Sequence, residues 1–255
     1  MLRRKKMKTF AIKAQLVVFL SFFAFYLSFI DKDSRFLLAL LVAVASTAAI
    51  DTAFTLLKQK KFSITSSSLI SGLIIGFVLS SDLPLWTIAL ASLIAIASKH
   101  LINFKGRHVY NPAALGIFAV IISLDASTQW RGTYFWQALV PAGLYFSYKI
   151  RKLEVIVSYF VAGFALFGAQ ALMQGVSLSN VFGYFSYFYI FIMVIEPKTT
   201  PTNLLGKVIF GVMLAGLIFV LTGAAVRFDV ELASLLAMNS ATPLLNRLNI
   251  AKKGG

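Results

Sequence analysis

The 255-residue chain contains no cysteine, only two histidines and only nine acidic residues. The absence of cysteine excludes disulfide bonds, iron–sulfur clusters held by thiolates and thiolate-bound metals. Charged residues make up 13% of the chain, about half of the share in an average soluble domain. Because 59% of the residues are hydrophobic, this composition predicts an integral membrane protein and excludes a typical soluble domain.

Motifs for enzymatic chemistry are also absent. The sequence contains no glycine-rich phosphate loop, no nucleophile elbow and no zinc-protease helix motif. His100 and His108 have no cysteine or carboxylate near them in the sequence, so we expect neither a metal site nor a haem. We interpret both histidines as side chains of a basic loop, and we predict no catalytic residues.

Ten apolar segments run along the chain. A helix needs about 20 apolar residues to cross a bilayer, and the third, fifth, eighth and tenth segments are short or polar. Such segments suit helices buried in a bundle, or broken helices that line a cavity. The predicted spans are residues 14–30, 36–57, 63–80, 84–102, 112–124, 134–148, 154–173, 180–195, 204–222 and 230–246.

Lysine and arginine are distributed unequally between the loops. Alternate loops hold all but four of the 24 basic residues, the exceptions being Lys32, Arg35, Arg131 and Arg227. Basic loops of membrane proteins face the cytoplasm. We therefore expect a multi-pass protein of the inner (cytoplasmic) membrane with both termini in the cytoplasm. The net charge of +15 is then explained by basic residues in cytoplasmic loops, which also attract anionic lipid. The expected partner is therefore the bilayer and not nucleic acid.

The ten spans divide into two groups of five, and an odd number per group requires the second group to be inverted. Weak sequence similarities between the two halves support this division. "SSDLPLW" follows the third span and "IEPKTTP" follows the eighth; "YNPAALG" opens the fifth and "MNSATPLL" lies in the tenth. Inverted repeats with interrupted helices place a site near the membrane midplane. We predict repeats at residues 1–130 and 131–255, within one membrane domain.

Asp51 lies well inside the second predicted span, in "STAAIDTAFTLL". An ionisable side chain at that depth is costly unless it is paired or hydrated, which makes Asp51 a candidate for an ion path. The alternative is a carboxyl group near the cytoplasmic end of the span that is solvated or bonded to serine or threonine.

Two proline motifs precede apolar runs. In "RHVYNPAALG", the Asn-Pro pair fits a helix N-cap followed by proline at the first helical position. Its free N–H groups, next to two basic side chains, can hold a phosphate or another anion. The threonines of "EPKTTPTN" suggest a second anion site of this kind before the ninth span. The alternative is that each motif only caps a helix. The candidate ligand residues are Lys105, Arg107, Asn111, Thr199 and Thr200.

Four stretches occur in order along residues 63–248: "SSSLISGLIIGFVLSSDLPLW", "ASKHLINFKGRHVYNPAALGIF", "IEPKTTPTNLLGKVIFGVMLAG" and "LASLLAMNSATPLLNRL". Together they resemble the D subunit of the Rnf electron-transport complex and the related B subunit of the sodium-pumping NADH:quinone reductase. The resemblance implies an all-α polytopic membrane protein with ten transmembrane helices in two inverted five-helix repeats, similar to urea transporters. It also implies a flavin-associated electron-transfer subunit of a redox-driven Na⁺ or H⁺ pump, with other subunits as partners.

The resemblance implies FMN linked through its phosphate to a threonine, in a Ser/Thr-Gly-Ala-Thr motif after the fifth span. The corresponding loop, "SLDASTQWRGTYFW", offers Thr128 and Thr133 but lacks the Gly-Ala-Thr element. This absence argues against a covalent link and leaves FMN or riboflavin held noncovalently.

Two alternative functions stay open. One is a stand-alone inverted-repeat transporter or channel for a small solute or flavin, without a redox role, which the missing attachment motif favours. The other is a structural scaffold for other membrane subunits. In the redox interpretation the chain is at most one subunit of an ion-translocating oxidoreductase, because it has neither a nicotinamide site nor iron–sulfur ligands.

Overall fold

Apolar segments form helices over most of the chain. The structure is a computed structural model that describes residues 2–60 and 62–248; for residues 2–11 and 59 it describes the backbone alone. The contacts divide the chain into two units, residues 1–134 and 135–255.

The first unit contains five helices and a short β-hairpin in its described part. The hairpin joins the fourth helix to the fifth, and its two strands are antiparallel. Asn111 accepts a hydrogen bond from the N–H of Ala114 at 3.1 Å, and Pro112 is the first helical residue, so the predicted start of the fifth helix is confirmed. The elements are α1 (Leu2–Asp31), α2 (Ser34–Gln59), α3 (Ser66–Val78), α4 (Leu85–Leu101), β1 (Asn103–Phe104), β2 (Arg107–His108) and α5 (Pro112–Leu124).

Glycine allows α2 and α3 to approach each other closely. A Cβ atom at Gly72 of α3 would lie 2.6 Å from the Cα of Val44 and 2.9 Å from the carbonyl oxygen of Ala43, both on α2. A Cβ atom at Gly76, one turn later, would lie 2.8 Å from the Cα of Leu40. Small residues at such positions are a usual means of packing helices in membranes. Around this contact, α2 also packs on α4, α4 on α5, and α1 on α3.

The second unit contains four α-helices and an irregular segment among the described residues. Helix α7 packs on α8, α8 packs on α9, and α6 packs on the irregular segment. The helices are α6 (Trp136–Lys149), α7 (Leu153–Met173), α8 (Leu204–Gly223) and α9 (Val230–Leu245).

The eighth predicted span, residues 180–195, is not a continuous α-helix. It begins in a 3₁₀ helix, Leu178–Tyr184, and continues through a π-helical turn, Tyr189–Met193. None of residues 188–195 is more than 3% exposed. Irregular backbone at membrane depth is tolerated where protein covers it, which agrees with the interpretation of the short segments as buried or broken helices.

Four helical stretches are long and apolar enough to cross a membrane, and α3, α4, α5 and α9 are shorter apolar helices. These helices define a predominantly α-helical, multi-pass membrane protein. Helix α6 and residues 178–193 fall outside both groups, so the number of ten spans stays a prediction, as does the inverted repeat. The four long stretches are Ile12–Asp31, Ser34–Lys58, Leu153–Met173 and Leu204–Gly223.

The close approach of α2 and α3 predicts the effect of a single methyl group. We expect Gly72→Ala to lower the free energy of unfolding by about 1–3 kcal/mol, because the two backbones must separate. Gly216→Ala on α8 is the control, since a Cβ atom there meets no atom within 4 Å. Thermal unfolding in detergent, followed by intrinsic fluorescence, measures both variants. Equal melting temperatures for the two variants would contradict the close α2–α3 contact.

Candidate functional site

A buried carboxylate joins three helices of the first unit. The side chain of Asp51, on α2, is 1% exposed. Its Oδ1 atom lies 2.8 Å from Nζ of Lys99 and 2.7 Å from Nε2 of His100, both on α4. Its Oδ2 atom accepts a hydrogen bond of 2.7 Å from the hydroxyl of Thr65. Both carboxylate oxygens are therefore satisfied, one of them by two nitrogen donors. These four residues are called the Asp51 cluster below.

Neighbouring side chains orient the members of the cluster. The ring of Phe54 stacks on the His100 imidazole with 4.7 Å between centroids and 6° between planes. Lys58, also on α2, donates to the carbonyl oxygen of His100 at 3.1 Å. Thr65 is the N-cap of α3, where its side chain accepts a hydrogen bond from the N–H of Ser68. The cluster is thus fixed both by helix packing and by a helix cap.

The exposed fraction of the side chain increases from Asp51 to Lys99 and then to His100. The side chain of Asp51 is 1% exposed, that of Lys99 is 11% exposed and that of His100 is 17% exposed. Because an ionised carboxylate only accepts hydrogen bonds, Nε2 of His100 carries the proton in the contact with Asp51. The cluster therefore holds one carboxylate, one ammonium group and an imidazole that can gain a second proton.

The sequence interpretation of His100 is wrong. We expected both histidines to be side chains of a basic loop, but His100 lies on α4 and binds the buried carboxylate. His108 is on β2 and is 3% exposed. Of the two interpretations of Asp51, the expected bond to a threonine is present, but the carboxyl group is not solvated. The signal for the missed partners was the Lys-His pair at the end of an apolar run, since a buried acid needs a nearby positive charge.

The loop of residues 125–133 forms backbone hydrogen bonds with the C-terminal end of α3 and the residues that follow it. This end of α3 is opposite to the end that carries Thr65. Leu79 and Thr128 form an antiparallel bridge. The N–H of Arg131 donates to the carbonyl oxygen of Phe77 at 2.8 Å. Thr128 and Thr133, the two threonines of this loop, are both half-buried. The loop is therefore held by backbone hydrogen bonds at its centre and near its end.

Arg131 anchors the same loop to the turn between α1 and α2. Its guanidinium group lies 2.6 Å from the carboxylate of Asp33 and 3.4 Å from that of Asp31, and it stacks over the ring of Phe36. Burial opposes the ionisation of Asp33, but hydrogen bonds from the N–H of Phe36 and from Arg131, together with the charge of Arg131, outweigh it. The pKa of Asp33 is therefore lower than its ordinary value.

The loop of residues 125–133 offers few groups that could hold a phosphate-linked FMN. A bound phosphate needs cationic or N–H donors. The guanidinium of Arg131, the only basic side chain in residues 125–133, is paired with two carboxylates, and its Nη1 atom forms no hydrogen bond among the described residues. Asp125, at the beginning of the loop, adds a negative charge. The hydroxyls of Thr128 and Thr133 are present, but residues 125–133 contain no second basic side chain to neutralise a phosphate.

In the second unit, the threonine-proline motif forms a buried turn. Thr199 is 1% exposed and Thr200 is fully buried. Nζ of Lys152, just before α7, donates to the carbonyl oxygen of Thr200 at 3.1 Å. On α9, Asn239 and Thr242 both donate to the carbonyl oxygen of Thr199. The turn is thus held by side chains from two elements that are distant in sequence.

Neither of these threonines caps α8. The N-cap is Asn203, whose side chain accepts a hydrogen bond from the N–H of Gly206. Close to it, Nζ of Lys207 lies 3.0 Å from the carboxylate of Glu154 on α7. The second unit therefore also has a lysine–carboxylate pair between two helices, but this pair includes no histidine.

The hydrogen bonds of the Asp51 cluster do not involve the predicted anion ligands of the hairpin. Lys105 and Arg107 are both exposed. Lys105 occupies the turn with φ +50°, followed by Gly106 with φ +76°. Asn111 is buried and already caps α5. Anion binding by these residues stays a prediction.

Comparison with known proteins identifies the family. The family model described as the NQR2, RnfD, RnfE family matches residues 3–139. The chain belongs to this family. The match confirms the resemblance inferred from the motifs, and it includes the whole Asp51 cluster and the loop of residues 125–133.

One curated relative matches a shorter stretch. Over 76 residues the chain is 36% identical to the D subunit of the proton-translocating ferredoxin:NAD(+) oxidoreductase complex of Clostridium ljungdahlii. The aligned stretch is 29% of this chain and 23% of the relative. The chain therefore spans less than a quarter of the length of the curated relative that it matches.

The lowered pKa of Asp33 predicts that stability depends on acid pH. Because the folded-state pKa is below the ordinary value of 3.8, the ion pair with Arg131 contributes fully at neutral pH. This contribution is lost as the pH falls from about 5 to below that value. We expect Arg131→Gln to remove about 1 kcal/mol of stability at neutral pH and to reduce the acid-dependent loss.

Arg35→Gln is the matched control for this prediction, because Arg35 pairs with Asp82 and both side chains are mostly exposed. Melting temperatures in detergent from neutral pH to about pH 3 measure the effect. The same pH dependence in the wild type and in Arg131→Gln would show that the ion pair does not stabilise the fold.

Proposed function

We propose that the chain is an integral-membrane component of an Rnf/Nqr-type redox complex that moves Na⁺ or H⁺ across the inner membrane. The family match over residues 3–139 carries this proposal. A second support is the similarity to a component of a proton-translocating ferredoxin:NAD(+) oxidoreductase. Other subunits of the complex supply the electron donor and acceptor, because this sequence contains no cysteine for iron–sulfur ligation and no nicotinamide-binding motif.

Flavin association is part of this proposal, with FMN or riboflavin bound noncovalently. The family resemblance implies a flavin, whereas the loop that carries Thr128 and Thr133 lacks the attachment motif and has one basic side chain, which pairs with two carboxylates. The buried threonines Thr199 and Thr200 and the hairpin residues Lys105, Arg107 and Asn111 are the other proposed contact residues.

Asp51 is the proposed ion-path residue. Its carboxylate is buried at the interface of α2, α3 and α4, where an ionisable group is expensive and commonly functional. The rise in exposure towards His100 provides a direction of access. In the orientation predicted from the loop charges, this access is from the cytoplasm.

The packing order within each unit supports the proposed inverted repeat. In the first unit the second helix packs on the third and fourth, the fourth packs on the fifth, and the first packs on the third. In the second unit α7 packs on residues 178–184 and on α8, α8 packs on α9, and α6 packs on residues 189–193. Each unit therefore uses the same order of pairings when the irregular segment is taken as the third element.

A stand-alone transporter or channel for a small solute or flavin is the second candidate. The missing flavin-attachment motif favours it, and the shared packing order is compatible with it, since inverted repeats are a common transporter architecture. The two candidates differ in their partners. An affinity-tagged chain from native membranes co-purifies with other redox subunits in the first case. In the second it purifies alone and supports solute flux in liposomes.

The flavin proposal predicts a specific spectral result. We expect the purified native assembly to show flavin absorbance that is released by denaturation, with no fluorescence on the chain in a denaturing gel. Thr128→Ala and Thr133→Ala should leave the absorbance unchanged, because neither hydroxyl holds a phosphate. In-gel fluorescence that disappears in either variant would demonstrate a covalent link and contradict our conclusion about the loop. An assembly without any flavin would refute the flavin proposal.

A further inference from the structure

We propose that the Asp51 cluster is a proton-exchanging site in which His100 takes up the proton and Asp51 and Lys99 set how tightly it is held. This inference rests on the proposed function for its physiological role, because it names the ion that enters at Asp51. The exchange itself is a property of this chain and can be measured without partner subunits or flavin.

The arrangement of donors argues against a sodium ion. Hard cations are held by several oxygen ligands that have free lone pairs. Both oxygens of Asp51 already accept short hydrogen bonds, and the ammonium of Lys99 lies 2.8 Å from one of them. A second cation placed there would be repelled by Lys99 in a medium of low dielectric constant. In the described part of the chain, no group of three or more histidine, cysteine or acidic side chains is placed to hold a metal ion.

The imidazole of His100 is placed to accept a proton. Its Nε2–H points at Asp51, so Nδ1 carries a lone pair in the neutral ring. No residue that the structure describes forms a hydrogen bond to Nδ1, and the side chain is 17% exposed. Histidine is the side chain that ordinarily changes charge between about pH 5 and pH 8. The ring therefore has a second nitrogen that can accept a proton, in a side chain that is 17% exposed, and a donor atom bonded to the buried carboxylate.

Lys99 limits how strongly Asp51 stabilises the protonated ring of His100. A carboxylate with histidine as its only partner would stabilise the imidazolium strongly. Here Lys99 and His100 share the same oxygen, so the negative charge of Asp51 is already compensated when the imidazole is neutral. Protonation then adds a net positive charge to a mostly buried cluster, which favours release. The charged groups that face the ring in the described structure are Asp51 and Lys58 from α2 and Lys99 from α4, whereas α3 contributes the neutral Thr65.

The exchange is balanced in atoms and charge. A hydronium ion gives its proton to Nδ1 of His100 and leaves as water, and the ring becomes an imidazolium. The Nε2 proton can then pass to Oδ1 of Asp51, which leaves a neutral imidazole protonated at Nδ1. Thr65 donates to the other oxygen of Asp51, and its hydroxyl lies 3.4 Å from that of Ser68, which is fully buried. Thr65 thus connects the carboxylate to the polar face of α3.

Nuclear magnetic resonance of the full chain tests this proposal, because the sequence contains only two histidines. The chain is labelled with ¹⁵N-histidine, purified with a tag that contains no histidine, and placed in lipid nanodiscs. His100→Gln assigns the two sets of ring signals. We expect the His100 signals to change from the neutral to the protonated form between about pH 8 and pH 5. About 100 mM Na⁺ in place of K⁺, near physiological ionic strength, should leave them unchanged.

Two variants should move the protonated fraction of His100 in opposite directions. At about pH 6.5, the middle of an ordinary histidine titration, Asp51→Asn should lower the fraction several-fold, because the counter-charge is lost. Lys99→Met should raise it towards full protonation, by up to about twofold from a half-protonated ring, because Asp51 then serves His100 alone. Lys99→Met also keeps the test decisive if Asp51→Asn does not fold. Glu154→Gln is the matched control, since it removes a lysine-paired carboxylate in the other unit and should leave His100 unchanged.

Three results would overturn the proposal: a His100 ring that does not change protonation over this pH range, a Na⁺-dependent shift of its signals, or the same protonated fraction in Lys99→Met as in the wild type. The first indicates a purely structural lock and the second a sodium site. These failures are distinct from failure of the proposed function. A chain whose His100 exchanges protons as expected but which binds neither flavin nor redox partners retains the proton site and loses the redox role.

Discussion

A buried negative charge on α2 constrains the first unit of this protein more than any other single feature. Transferring the Asp51 carboxylate out of water is expensive unless donors surround it. The donors come from the end of α4 and from the N-cap of α3, so one carboxylate aligns three helices. The same two helices, α2 and α3, approach each other closely at Gly72 and Gly76. Any change in the packing of these helices therefore leaves a charge without a partner.

In the second unit, buried backbone carbonyl groups also need hydrogen-bond donors, and other side chains supply them. Its irregular segments leave backbone carbonyls outside regular helices, and membrane proteins must satisfy such groups internally. Lys152 binds carbonyl oxygens of the threonine-proline turn, and residues of α9 bind another. In the second unit the buried Lys152 holds backbone and Lys207 pairs with Glu154, whereas in the first unit the half-buried Lys99 neutralises Asp51. The histidine is the group that distinguishes the Asp51 cluster from the lysine–carboxylate pair of the second unit.

Several local features were predictable because their causes are local. The Asn111-Pro112 start of α5 follows from the capping preferences of two adjacent residues. The poor continuity of the eighth predicted span follows from its short apolar run. The family assignment followed from motifs, and the family match confirms it. The predicted positions of helix ends were less accurate. The sequence pattern also did not reveal that residues 178–193 contain 3₁₀ and π turns.

Composition, hydrophobic runs and the distribution of lysine and arginine can be followed along the chain, so they were sufficient to recognise a multi-pass helical membrane protein. The resemblance of four sequence motifs indicated its family. The partners of Asp51 were not readable in this way. They lie 48 and 49 residues further along the chain, and only the packing of α2 against α4 brings them together. The same holds for the loop of residues 125–133, where Arg131 meets two carboxylates about 100 residues earlier. Charge pairing across helices depends on which helix faces touch, and that is a property of the tertiary fold.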